Sequence, residues 1–288
     1  MNTAIGLPSM LPGTDGATVV RWAEAAEAAG FTSLTTTDRV AYGNQEPLLA
    51  LAAAAAVTQH VELMPTVLLV AVRDPVLLAK QLATLDVLSN GRLILGAGVG
   101  GRPDDFAITG RPFHNRGRRF EQDLELMRRV WRGEAVGEDG VTVGPKPSQS
   151  GGPPILIGAM AEKALARVGK YDGYIRTGGP EGAEAPLEIV RKSWEEAGRK
   201  GKPRLVSNVY FALGEEVAER GKAYMMDYYS FAGPAAERIA SGLITTDERV
   251  AEVLQGLQKL GFDEVNFWPT VADLRQIRRL AEAVEAAL

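Results

Sequence analysis

Three observations predict an α/β fold, specifically a (β/α)8 TIM barrel. Short apolar runs alternate with longer helical patterns eight times from end to end, the pattern of a parallel sheet with crossover helices. The run Val61 to Val70 is continuous and β-branched, as a strand buried on both faces requires. The 288 residues suit one barrel domain, and a chain of this size buries roughly three quarters of its unfolded surface. An open doubly wound sheet is the rival arrangement of the same pattern.

The elements follow in order. Residues Ala4 to Pro8 form the first predicted strand, and a helix from about Thr18 stops at Gly30, a residue suited to the left-handed turn that ends helices. Leu34 to Asp38 is the second strand. Pro47, at home in a first helical turn, opens an alanine-rich helix to Thr58. Val61 to Val70 is the third strand. Asp74, with a side chain that can accept from free helix N–H groups, caps the helix Val76 to Leu88, and Ser89-Asn90-Gly91 ends it. Leu93 to Leu95 is the fourth strand and leads into a long loop at about residues 98–117. Phe120, Leu124, Met127 and Trp131 recur at helical spacing on the next helix, and Asp139-Gly140 marks a small hairpin. Ile155 to Ile157, Gly173 to Arg176, Leu205 to Leu213 and Val265 to Trp268 are strands five to eight. An extended helical region at about residues 215–260 is broken near Gly233-Pro234 and Gly242. Nothing in the pattern divides residues 1–288 into more than one domain.

Composition removes several functions. The chain has no cysteine, which excludes thiolate metal sites, disulfide scaffolds and a cysteine nucleophile. Its two histidines, His60 and His114, leave little for a metal site, and none is predicted. The net charge of −4 offers no attraction to nucleic acid or an anionic membrane. The N-terminal residues carry no basic segment ahead of an apolar run, and the longest apolar stretch, Pro47 to Val57, is too short to span a bilayer. A cytoplasmic location is the expectation.

In a barrel the active site lies at the C-terminal ends of the strands, which selects the residues to weigh. Gly96, Gly98 and Gly101 spell G-x-G-x-x-G, but a dinucleotide fingerprint needs a helix starting at that turn, and Arg102-Pro103 followed by Gly110 leaves room for a turn or two. The milder reading is a close approach of backbone to a flat ligand; a plain tight loop is the bland one. Gly158-Ala159-Met160-Ala161 and Thr177-Gly178-Gly179 offer backbone N–H groups at strand ends, which suit a phosphate or an ordinary helix start. Asp38-Arg39 ends strand two as either a ligand clamp or a structural ion pair. His114 on the long loop, Tyr210 and Trp268 are candidates for the substrate pocket, with loop exposure and barrel core as their alternatives.

The residues also carry a resemblance. Thr66-Val67-Leu68-Leu69 through Arg73-Asp74-Pro75, Leu78 to Asp86, and Ser89 to Gly98 are similar to the signature of luciferase-like monooxygenases and their deazaflavin-dependent relatives. Phe106, Gly110, Arg116 and Arg119-Phe120-Glu121 continue it, as do Pro153 to Gly158 and Asp172 to Ile175. The likeness is close over Ala4 to Thr177 and looser beyond. It implies a luciferase-like barrel and an oxidoreductase that binds coenzyme F420 or, alternatively, FMN over the strand ends. A small organic substrate would exchange a hydride with the deazaflavin, or be oxygenated in an FMN monooxygenase. By the same resemblance Asp38 and Arg39 face the ring as the catalytic pair. A non-prolyl cis peptide at or near Thr66-Val67 backs the ring, Gly98, Val99 and Gly100 flank it, and Met160, Thr177 and Gly178 contact the phosphate; Gly158 and Gly179, at the same strand ends, are cofactor-binding candidates from their backbone N–H groups. A homodimer is implied as well. Three positions depart from the pattern: Arg39 stands where many relatives have histidine, Pro180 where some have lysine, and Gly101 where some have glutamate. Arginine stays protonated, so Arg39 is unsuited to acid/base work. That departure motivates a non-catalytic flavin-binding barrel as the contrasting reading, and a nicotinamide dehydrogenase is a third.

Overall fold

The computed structural model describes residues 1–288. Its strands are β1 (Asn2–Gly6), β2 (Ser33–Thr36), β3 (Glu62–Pro65), β4 (Leu68–Leu69), β5 (Leu95–Gly98), β6 (Ile155–Gly158), β7 (Gly173–Thr177), β8 (Arg204–Phe211) and β9 (Glu264–Pro269). All pair in parallel, in the order β3-β2-β1-β9-β8-β7-β6-β5-β4. A parallel bridge between Leu63 of β3 and Leu93, just before β5, closes the sheet. The third predicted strand is therefore present but broken: β3 and β4 are its halves, separated by a cis peptide bond between Thr66 and Val67. Nine strands thus occupy the eight positions of a barrel.

The helices are α1 (Gly16–Ala28), α2 (Pro47–Val57), α3 (Pro75–Leu88), α4 (Pro103–Ile108), α5 (Arg116–Trp131), α6 (Glu162–Leu165), α7 (Glu184–Glu196), α8 (Glu215–Tyr228), α9 (Ala235–Ala240), α10 (Asp247–Lys259) and α11 (Arg275–Ala287). Their starts follow local chemistry. The Asp74 carboxylate accepts from the N–H groups of Val76 and Leu77 ahead of α3, Asp15 caps α1 through Thr18, and Glu46 caps α2 through Leu49. Each satisfies donors that a helix start leaves free. Gly30, at φ +87°, ends α1 in the left-handed region. The long loop contains the short α4, which opens at Pro103, two residues past the glycine run, and lasts six residues.

The fourth strand runs further than its sequence predicts, to Gly98, so Gly96-Ala97-Gly98 are strand rather than loop. Val67 explains the glycines. A Cβ on Gly98 or on Gly158 would overlap the Val67 methyl groups, and one on Gly96 would overlap the Pro65 carbonyl. The side chain of Val67 thus lies across β5 and β6 at the top of the barrel.

The barrel interior is layered. At the bottom, Arg204 donates to Glu62 and to the fully buried Glu264, which also accepts from Ser33. Above it Met64, Ile94, Leu156, Ile175 and Val206 form an apolar plug beneath Val67. Above that comes a polar layer: Thr35 donates to Asn266 (2.8 Å), and Asn266 donates to Asn208 (2.8 Å) and to Thr66 (3.3 Å). Outside the barrel, the apolar helix faces and the strands share one large core, which holds the mouth in place. No helix is long and apolar enough to cross a membrane.

Candidate functional site

A cavity of about 960 Å³ opens at the C-terminal ends of the strands, a size that suits a cofactor or other small molecule. Its floor is the break in the third strand. Thr66 and Val67 line it, and the Thr66 hydroxyl is held by Asn266 and by the Trp268 indole N–H at 3.2 Å. Gly98, Val99, Gly100, Gly158 and Met160 line one side, and Ile175, Thr177 and Asn208 continue it.

Asp38 and Arg39 both line the cavity, but they do not pair with each other. Asp38 is buried and accepts from the Leu69 N–H (2.7 Å) and from both terminal nitrogens of Arg73 (2.5 and 3.2 Å). Burial pushes its carboxyl above the ordinary range, and the Arg73 guanidinium pulls the other way. Arg39 is bonded to Asp104 (2.6 Å), to Asp105 (3.0 Å) and to the Ala41 carbonyl. Asp105 in turn accepts from the Val40 and Ala41 N–H groups. With its side chain only 8% exposed, Arg39 ties the end of β2 to α4.

The two ends of the cavity differ in chemistry. Toward β5–β7 stand Arg116, Arg118, Lys163 and Arg176. Arg116 donates to the Gly100 and Phe113 carbonyls and Arg176 to the Gly178 and Gly179 carbonyls. None of the four has a carboxylate partner, whereas nearby Arg167 is bonded to Glu121 at 2.6 Å. Toward β8 and β9 stand Tyr210, Tyr228, Tyr229 and Trp268. Arg102 lies over Tyr228 at 4.4 Å and over Phe231 at 4.0 Å, close enough for a cation–π contact. Burial pushes the Tyr228 phenol up to about 12.

Of the residues singled out in the sequence, Asp38, Arg39, Thr66, Val67, Gly98, Val99, Gly100, Gly158, Met160, Thr177, Tyr210 and Trp268 meet around this one cavity. Three do not line it. His114 is exposed on the loop before α5. Gly178 and Gly179 turn away to serve Arg176, and the Gly178 N–H, expected to be free for an anion, donates to the Asn208 carbonyl. Sequence reasoning missed Arg102, Lys163, Arg176, Tyr228 and Tyr229. For the tyrosines a signal existed in the aromatic run Tyr224 to Phe231. The cations give no local signal, because each belongs to a different loop or strand end.

Comparison with known proteins decides the family: residues 3–287 match the luciferase-like monooxygenases. The chain belongs to that family. It is therefore a flavin- or F420-dependent oxidoreductase of the luciferase-like kind. An uncharacterised protein from Mycobacterium tuberculosis is 32% identical over 214 residues, covering 65% of this chain and 74% of that one. An F420-dependent glucose-6-phosphate dehydrogenase from Segniliparus rotundus is 31% identical over 202 residues, covering 63% and 59%. Among solved structures, an F420-dependent secondary alcohol dehydrogenase superposes with a TM-score of 0.83 at 17% identity, covering all of both chains. The oxygenating component of 3,6-diketocamphane monooxygenase from Pseudomonas putida, solved with FMN, superposes at 0.77 and 16% identity over 100% of this chain and 99% of that one. At those identities the structures speak for the luciferase-like barrel alone.

Proposed function

We propose that this luciferase-like enzyme uses coenzyme F420 and transfers a hydride between the deazaflavin and a small organic substrate. The observation that carries the reading is the group of four cations without carboxylate partners, Arg116, Arg118, Lys163 and Arg176, gathered at one end of the cavity of a protein whose net charge is −4. Such a group fits a cofactor with a polyanionic tail, and charge-assisted hydrogen bonds to it are the strong kind. The relative from Segniliparus rotundus, named for its dependence on F420, supports the same choice. The cavity fits the group in shape as well: an apolar platform at Val67, and glycines at 98 and 158 that let backbone approach closely.

When bound, the deazaflavin supplies a ring that donates or accepts hydride. The chain supplies the rest. Val67 would back the ring, Gly98 to Gly100 would flank it, Met160 and Thr177 would stand beside the tail, and the four cations would hold the tail's charge. Asp38 and Arg39 fix the wall of the mouth through Arg73 and α4. Trp268 and Tyr210 border the space left for substrate. We also infer a homodimer, for which exposed Leu49, Leu77 and Leu88 on the adjacent α2 and α3 supply apolar surface; sedimentation velocity tests it.

The experiment is a titration of the apo-protein with F420 and, separately, with FMN, read by ring absorbance or fluorescence. Low-micromolar binding of F420, weakening steeply with salt, supports the reading. Lys163→Glu combined with Arg118→Glu should weaken F420 by about tenfold, since each exposed charge contributes a few tenths of a kcal/mol or more and reversal doubles the change. Preferential binding of FMN turns the assignment to a monooxygenase and to an oxygen-uptake assay. Binding of neither rejects the cavity as the cofactor site.

A further inference from the structure

The aromatic end of the cavity carries a hydrogen-bond donor that nothing in the protein uses. Tyr210 and Tyr229 place their hydroxyls 3.0 Å apart. Two phenols bring two protons, and the bond between them consumes one. No other protein group accepts from either hydroxyl, so the second proton is unspent. Buried tyrosine hydroxyls ordinarily find a partner. Here the Tyr210 ring is 4% exposed, and both tyrosines line the cavity wall. Burial pushes both phenols above their ordinary range, so the pair stays protonated and acts as a donor. Of the neighbouring tyrosines, Tyr42 donates to Asp227 at 2.6 Å and Tyr224 to the Met10 carbonyl, whereas Tyr228, also on the cavity wall, donates to no protein group.

The surroundings limit what the donor meets. Tyr210, Met10, Leu11, Met225, Ala240 and Trp268 form an apolar cluster separate from the barrel core, built from β8, β9, the helices α8 and α9 between them and the segment after β1. Trp268 lies tilted against Tyr210, with ring centroids 4.9 Å apart, and Tyr229 is edge-on at 6.0 Å. The carboxylates that border this end are spent, Asp38 on Arg73 and Asp105 on Arg39. The recess therefore offers flat apolar walls, the spare O–H of the Tyr210–Tyr229 pair, the Tyr228 hydroxyl, and the Arg102 guanidinium lying over Tyr228 and Phe231.

We propose that the Tyr210–Tyr229 hydroxyl pair is the specificity element of the substrate recess, donating one hydrogen bond to a carbonyl or similar acceptor oxygen on a flat, apolar molecule. The proposal rests on the reading of the cavity as the cofactor and substrate site and names the substrate class for it. A site built to donate to an oxygen rejects the analogue without one, because the donor is then left buried and unpaired.

The test needs no turnover. Binding of acetophenone and of ethylbenzene, which replaces the carbonyl by a methylene at nearly the same shape, is measured on the apo-protein by ligand-observed NMR. The wild type should prefer acetophenone about fivefold to tenfold, the worth of one net hydrogen bond. Tyr229→Phe alone leaves Tyr210 able to donate, so the decisive variant is Tyr210→Phe with Tyr229→Phe, in which the preference should vanish while ethylbenzene binds as before. Tyr224→Phe, whose hydroxyl bonds the Met10 carbonyl, should leave the preference unchanged. Thermal unfolding and the F420 and FMN titrations on the same variants separate a folding defect and a failed cofactor assignment from a failed proposal. Equal affinity for the two probes in the wild type, binding of neither, or a preference that survives the double substitution overturns it.

Discussion

Replacing Asp38 by asparagine separates two roles that look alike in the sequence. If Asp38 acts as the structural clamp of the mouth, Asp38→Asn lowers stability as well as function. The carboxylate accepts from the Leu69 N–H and from two nitrogens of Arg73, and Leu69 lies in β4, just past the cis bond under the cavity floor. Asparagine has one acceptor oxygen, so it keeps one of these bonds and turns an NH2 toward the remaining donor. Breaking a buried ion pair costs about 3–5 kcal/mol. Two features soften the loss. Arg73 retains Glu46 at 3.2 Å and the Leu69 carbonyl at 3.1 Å, and removing a buried charge recovers part of its desolvation cost. A net loss of about 2–3 kcal/mol remains. With an unfolding entropy of about 2.1 cal/mol/K per residue, that corresponds to a fall in Tm of about 3–5 °C for a chain of this length. The assay is thermal unfolding by circular dichroism, with F420 and FMN titrations on the same sample. Weaker cofactor binding with the Tm within a degree of wild type refutes the clamp and assigns Asp38 to direct ligand contact.

Further substitutions probe other parts of the molecule. Gly158→Ala pushes a methyl into Val67, so it should cost about 1–3 kcal/mol through overpacking and weaken cofactor binding, and adding Val67→Ala should restore most of the Tm; an additive double-mutant cycle argues against that contact. Glu27 accepts from the N–H groups of Gln59, His60 and Val61, which hold its carboxyl below the usual range against the opposing effect of burial. A depressed folded-state value gives stability that is present above the unfolded value near 4.5 and lost as pH falls through the folded value. Glu27→Gln should therefore destabilise by about 1 kcal/mol at neutral pH, after discounting for exposure, and the gap from wild type in urea titrations should close on acidification. Glu264→Gln strips the buried Arg204 network of a charge and should cost about 2–4 kcal/mol while leaving cofactor affinity unchanged, since that network sits at the opposite end of the barrel.

The strand–helix alternation, the caps at Asp74 and Gly30 and the special bond at Thr66-Val67 were legible because each is a local feature: a run of apolar residues, a capping side chain, a short signature. What escaped is set by distance along the chain. Asp38 finds Arg73, 35 residues on, and Arg39 finds Asp104 and Asp105 on α4, 65 and 66 residues on. Read locally, the two adjacent residues look like one charged pair. Likewise the glycines at 98 and 158 look like loop or phosphate glycines. They are glycine because Val67, from a different strand, fills the space their side chains would take. Pro180 suggested a phosphate site without its lysine, yet the cavity recruits Lys163 from α6, Arg176 from β7, and Arg116 and Arg118 from α5. Charge that converges from separate elements leaves no pattern in sequence.

The same pairing bears on whether the arginine at position 39 silences the site. The non-catalytic reading rests on Arg39 standing where relatives carry an ionisable histidine. Arg39 is not a free cation at the mouth: its donors are used on Asp104, Asp105 and Ala41, and its work is to hold α4 against β2. Proton-bearing capacity lies elsewhere, in the tyrosine hydroxyls of β8 and of the segment after α8. A hydride acceptor that gains negative charge on oxygen needs a donor aimed at that oxygen more than it needs a group that titrates near neutral pH, because a preorganised O–H stabilises charge as it develops. Arg39→His is therefore expected to loosen α4 and lower the Tm without raising turnover. A gain in turnover with an ionisation near neutral pH in the rate profile would place a catalytic role at position 39.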